Sequence, residues 1–142
     1  MGDRKMRHFY IFNINKDLLD LTMINPVTLF NTFNDLSNLK DSDLINAISI
    51  YDTITKPINK NSISKEVFEY YISDTNYSKY MYTHIYNNYF DNENSKLTIN
   101  NTYIKLDTTS INSIFFKFLK NFKYLFVCDF DNKDYFWLES IA

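Results

Sequence analysis

Few side chains in this chain of 142 residues are of the kinds that make or break bonds. The one candidate nucleophile is Cys128, and the candidate bases are His8 and His84. A Cys128 to His84 pair is formally possible, but Cys128 sits in an apolar run where a free cysteine behaves as a small buried hydrophobe and its thiolate is disfavoured. The two histidines fall in different segments and neither belongs to a His-Glu-x-x-His pattern, so each reads as surface or boundary packing. Asp129, Asp131 and Asp134 alternate as carboxylates do at the start of a calcium loop. Counting from Asp129, however, the sixth position is Asp134 instead of the turn glycine, and the twelfth is Ser140 instead of a bidentate glutamate. That group reads as a polar hairpin turn. Gly2 is the only glycine, which leaves no means of building a phosphate-cradling loop or a dinucleotide fingerprint. A single cysteine also excludes an internal disulfide and any zinc site made of several thiolates. The expectation is a protein without catalysis, metal or cofactor.

Binding chemistry is better represented. Lys117, Lys120 and Lys123 could form a basic stripe for a nucleic-acid strand, although they also fall where the wet face of an amphipathic helix belongs. A net charge of -2 gives no general attraction to phosphates, so direct nucleic-acid binding is not expected and stays the alternative reading. Tyr70, Tyr71, Tyr77, Tyr80, Tyr82, Tyr86 and Tyr89 are too many for one core. Tyrosine is enriched at interfaces because it brings apolar area with one polar tip, and packing and interface divide this set between them.

The elements that must carry these residues follow from periodicity. At 45% hydrophobic and 18% aromatic residues the chain is too apolar to stay disordered, and its length suits one domain. No run of roughly eighteen apolar residues occurs and the start lacks a secretory signal, which predicts a cytoplasmic protein. Residues 1–6 read as a disordered lead-in and 7–140 as the domain, expected to be a monomer. Arg7 to Ile14 is apolar on both faces, the mark of a central strand in a covered sheet. Asn25-Pro26 opens a helix with Leu29, Phe30, Phe33 and Leu36 on one stripe. A second helix runs from Asp43 to Ile54 on Leu44, Ile45, Ile48 and Tyr51, and Lys56-Pro57 ends it. Ser64 to Ile72 and Tyr77 to Phe90 read as helical. Lys96 to Asn100 and Thr102 to Leu106 form a hairpin on Asn100-Asn101, pairing Ile99 with Thr102 and Leu97 with Ile104. Asp107 to Ser110 caps a helix over Ile111, Ile114, Phe115, Phe118, Leu119 and Phe122. Tyr124 to Asp129 and Tyr135 to Leu138 close the chain as a second hairpin. The predicted fold class is α/β (α+β), a two-layer sandwich of a mixed five-stranded sheet with three or four helices.

Three patches carry a family resemblance: Arg7-His8-Phe9-Tyr10 with the acidic and apolar segment after it, Ile54-Thr55-Lys56-Pro57-Ile58, and the closing stretch that includes Ile114-Phe115-Phe116-Lys117-Phe118-Leu119 and Phe126-Val127-Cys128-Asp129-Phe130-Asp131. Together they resemble the SirA family, the sporulation inhibitors of replication. The resemblance implies a single α/β domain with a five-stranded sheet and a protein-binding function. Its partner would be the N-terminal domain of the replication initiator DnaA, whose surface it would mask as a cell enters sporulation. It also implies contact residues after the first strand and near the end of the second helix, at Leu18, Thr22 and Ile50, with Leu21 completing an apolar patch. The family pattern has aromatics at the first two of these positions and a glutamine at the third, so the chemistry of the patch has changed.

Overall fold

The computed structural model describes residues 5–18, 25–39 and 44–140. In chain order the elements are β1 (Arg7–Asn13), α1 (Pro26–Ser37), α2 (Leu44–Ile54), α3 (Lys60–Tyr71), β2 (Tyr77–Tyr80), β3 (Thr83–Asn88), β4 (Glu93–Ile99), β5 (Ile104–Thr108), α4 (Ile114–Leu119), β6 (Leu125–Asp129) and β7 (Asp134–Trp137), followed by a 3-10 turn, Leu138–Ser140. Residues 1–4 of the expected lead-in lie outside the described part.

The strands form one sheet in the order β2-β3-β4-β5-β1-β6-β7, and every neighbouring pair is antiparallel. This corrects the expected mixed five-stranded sheet. The helix α4 does carry the chain between two strands of like direction, β5 and β6, but β1 lies between them and pairs with both. The two additional strands are β2 and β3, which occupy the stretch expected to be helical from Tyr77 to Phe90. There His84 and Tyr86 face inward and Ile85 and Asn87 are more exposed, so a period of two prevails over the helical reading.

Burial follows the sides of β1. Phe9 and Ile11 join a cluster with Val67 and Tyr71 of α3 and Phe115, Phe116 and Leu119 of α4. Phe12 and Ile14 join a second cluster with Leu29, Phe30 and Phe33 of α1 and Ile54 of α2. Helices therefore cover both faces around β1 and β6, and the predicted two-layer sandwich becomes three layers there. Over β3 to β5 the second face stays open, with Lys96 exposed and Thr98 and Lys105 half-exposed.

Local chemistry fixes the helix starts. Asn25 accepts a hydrogen bond from Thr28 N at 2.8 Å ahead of Pro26, as expected for α1. Asn59 does the same for α3 through Ser62 N at 3.1 Å. The cap of α4 is Ser113, not the segment 107–110, because Asp107 and Thr108 are used in β5. On α2 the buried side is Ala47 and Ile54 with Tyr51 half-buried, whereas Ile45 is 85% exposed and Ile48 faces water as well. The expected stripe was thus right at Tyr51 and rotated at Ile45 and Ile48. The β4-β5 register places Ile99 opposite Ile104 and Leu97 opposite Leu106, two residues from the predicted pairing. A shift of two preserves which face each side chain takes, so Leu97, Ile99, Ile104 and Leu106 are buried together as expected.

Two features have consequences for stability. His84 is fully buried, contrary to the surface reading, with Nε2 2.8 Å from Ser64 Oγ and Nδ1 2.6 Å from the Tyr77 hydroxyl. Burial, and then the nearby Lys79 charge, lower its pKa to about 4. Because the folded value lies below the unfolded one, the unfolded chain takes up the proton first as pH falls through about 6.5, and stability declines until about pH 4. Lowering the pH from 7 to 5 should remove about 2 kcal/mol through this ring. Chemical denaturation at both pH values should show the loss in the natural protein and a smaller one in His84→Asn; equal losses would refute the assignment. The second feature is a set of turn residues with positive φ, namely Met81, Asn92, Tyr124 and Lys133. The exposed Lys133, at φ 52°, holds a left-handed conformation that costs a side-chain-bearing residue about 1 kcal/mol. Lys133→Gly should raise the unfolding free energy by about 0.5–1 kcal/mol, and no gain would show that the turn is not strained.

Candidate functional site

The segment after β1 is tied to the end of α2. Ile14 forms an isolated bridge with Thr55, Asn15 N donates to Ile54 O at 2.7 Å, and Lys56 N donates to Asn13 O at 2.9 Å. Asn15 then turns the chain, accepting Asp17 N on its side chain at 3.0 Å and Leu18 N on its carbonyl at 3.1 Å. Leu18 is half-buried against the second cluster. Ile50 lies on α2 with 45% of its surface exposed. The backbone ladder brings their two segments together, while Leu21 and Thr22 lie outside the described residues. Ile45 and Ile48 add further exposed apolar surface to α2.

Beside α2, on the open part of the same sheet face, is a groove of about 660 Å³. Its wall starts from strand residues that face away from the first cluster: Tyr10 on β1, with Tyr103 just before β5 and Phe130 just after β6. The ring centroids of Tyr103 and Phe130 lie 5.8 and 5.4 Å from that of Tyr10, tilted by 43° and 41°. Phe12 stacks on Phe33 at 4.0 Å and closes the deep end. Tyr51 reaches across from α2 and its hydroxyl donates to the Thr102 carbonyl. Burial, offset in part by a side-chain hydrogen bond with Thr55, pushes the Tyr51 pKa up to about 12, which keeps that hydroxyl protonated. At the rim His8 Nδ1 is 2.5 Å from Asp107 Oδ1, and Lys105 Nζ is 3.8 Å from the same oxygen. The sequence did not single out this groove. Its one legible signal is Tyr103, an aromatic side chain on the face it shares with Lys105 in the predicted hairpin.

Other residues chosen from sequence have structural partners. Asp129 is buried, and burial alone would raise its pKa. Hydrogen bonds from the Asn132 side chain at 2.7 Å, from Arg7 Nε at 2.9 Å and from Asn132 N at 3.2 Å prevail and hold it below the usual carboxylate value. Arg7 also reaches Asp134 at 3.2 Å, so the acidic hairpin turn anchors an arginine. Among the described residues no three His, Cys, Asp or Glu side chains are grouped to hold a metal ion. The helix α4 ends at Leu119, leaving Lys120 as its cap and Lys123 beyond it, so the three lysines do not share one helical stripe. The tyrosines divide: Tyr71, Tyr77 and Tyr86 are buried, and Tyr70, Tyr80 and Tyr89 are exposed. No helix among the described residues is long and apolar enough to cross a membrane.

By its fold the chain is an α+β protein with one antiparallel sheet, and its surface presents apolar faces and an aromatic groove. It belongs to the family of the sporulation inhibitor of replication protein SirA, whose family model matches residues 7–142. That description is of a regulator of replication. None of the curated proteins matches the chain.

Cys128, the candidate nucleophile, has no exposed surface, and burial pushes its thiol pKa well up. In the folded protein it should resist thiol reagents over hours and react fully once denatured. Rapid native labelling would contradict this placement.

Proposed function

We propose that this chain blocks the start of DNA replication by binding the N-terminal domain of DnaA and masking a surface DnaA needs, as a cell commits to sporulation. The observation that carries this reading is the family match across residues 7–142. The exposed isoleucines of α2 support it: each aliphatic side chain of this size gains about 1.5–3 kcal/mol when fully withdrawn from water. Leu18, Leu21, Thr22 and Ile50 are the contact residues in this reading. Of these, Leu18 and Ile50 lie on segments that the backbone hydrogen bonds joining Asn13 and Asn15 to Ile54 and Lys56 hold together. The action is competitive occupancy in the cytoplasm, with no bond made or broken.

Calorimetric titration against the purified N-terminal domain of DnaA from the same organism tests it. A complex at or below about 1 μM is expected, with Ile50→Glu weakening it by roughly tenfold or more, because a charge would be buried against an apolar partner. Ile50 is the preferred site because its exposure leaves the fold intact. Leu18→Glu is a second variant, read together with its unfolding curve because that side chain also packs inward. Binding unaffected by Ile50→Glu would keep the partner and discard the site. Failure to bind at well above about 100 μM would end the replication-inhibitor reading.

A further inference from the structure

Between α3 and the turn from β2 to β3 lies a separate pocket of about 360 Å³, whose polar lining is made of donors. Lys65 comes from α3 and Lys79 from β2, and no carboxylate of the described residues joins them there. Glu69 stands 3.9 Å from Lys65, but Glu69 and Glu66 line a different hollow, against Phe118 and Phe122. Lys79 makes no ion pair with any described residue, and its ammonium rests on the Phe68 ring, 5.4 Å from the centroid. Lys60 is held in the same way, 4.4 Å from the centroid of Tyr82. A ring face positions an ammonium without neutralising it as a carboxylate would. The neutral groups act in the same sense. The Tyr82 hydroxyl donates to Asn61 Oδ1 at 2.5 Å, which leaves the amide N–H groups as the unused polar atoms of Asn61. Ser64, the buried residue of the lining, meets His84 Nε2 at 2.8 Å, and the Tyr77 hydroxyl meets Nδ1 at 2.6 Å. With Tyr77 donating to Nδ1, a neutral His84 donates Nε2–H to Ser64 Oγ, and the serine proton is free to donate into the pocket.

We propose that this pocket binds the phosphoryl group of a small phosphate monoester. Its oxygens accept from Lys65, Lys79, Asn61 and Ser64, and the organic body lies against Phe68 and Met81. A carboxylate would offer two oxygens to these four donor groups, whereas a phosphoryl group offers three and a charge near two, which matches the two ammoniums. A net charge of -2 gives the chain no general attraction to anions, so the affinity comes from this local arrangement. The inference goes beyond the proposed inhibition of replication. The pocket shares no residue with the contact set of Leu18, Leu21, Thr22 and Ile50, so either reading can fail without the other.

The test is an amide-resolved NMR titration of the full chain with phenyl phosphate, in a phosphate-free buffer at fixed ionic strength, with benzoate and phenol as counterparts. Saturable binding with a Kd below about 5 mM is expected, moving the amides of residues 61–65 and 79–82. It should be at least about threefold tighter than benzoate and about tenfold tighter than phenol. Lys65→Gln and Lys79→Gln, both at exposed positions, should each weaken it about two- to fivefold, whereas Lys117→Gln on α4 should leave it unchanged. Benzoate or phenol binding as tightly as phenyl phosphate, or no saturation by about 20 mM, would overturn the proposal. An unchanged affinity in either pocket variant, or an equal loss in Lys117→Gln, would overturn it too.

Discussion

The constraint on which the structure depends is the double-sided burial of β1. Phe9 and Ile11 must leave water on one side, and Phe12 and Ile14 on the other. No single layer of helices can satisfy both. The chain places β1 inside the sheet, paired with β5 and β6, and supplies α3 and α4 to one face and α1 and α2 to the other. Phe9 meets Phe116 edge to face at 5.2 Å, and Phe12 stacks on Phe33 at 4.0 Å, so each side of the strand has its own aromatic anchor.

The two faces are not covered equally. The larger cluster extends under β3, β4 and β5, while α1 and α2 cover the part of the second face around β1, β6 and β7. The groove is the boundary where that cover ends. There Tyr10, Tyr103 and Phe130 are only half-buried beside α1 and α2, whose Phe33, Leu36 and Tyr51 form the other wall. The outer side of α2, with Ile45, Ile48 and Ile50, is left in water.

Polar groups caught inside the larger cluster are paired. The Glu93 carboxylate accepts from Ser95 Oγ at 2.5 Å, Ser113 Oγ at 2.9 Å and Ile114 N at 3.2 Å, tying β4 to the start of α4. His84 is bridged by Ser64 and Tyr77 in a similar way. Among the described residues no buried side-chain nitrogen or oxygen lacks a partner, as an interior of low dielectric requires.

Much of this is written in local pattern. The double-faced apolar run of β1, the Asn25-Pro26 start of α1, the span of α2, the closing hairpin and the inward set Leu97, Ile99, Ile104 and Leu106 all follow from spacing and capping chemistry, because those forces act within a few residues. Family membership was legible from three short patches for the same reason. Tertiary structure decided the rest. Strand number turned on the segment from Tyr77 to Asn88, where tyrosines fit either period until β4 offered a partner. Which isoleucines of α2 face outward depended on how Tyr51 and Ile54 met the second cluster, a choice that an apolar helix does not encode in itself. The groove joins side chains from β1, α1, α2, the approach to β5 and the turn after β6. Residues so far apart in sequence share no spacing, and only the packed sheet brings their rings together.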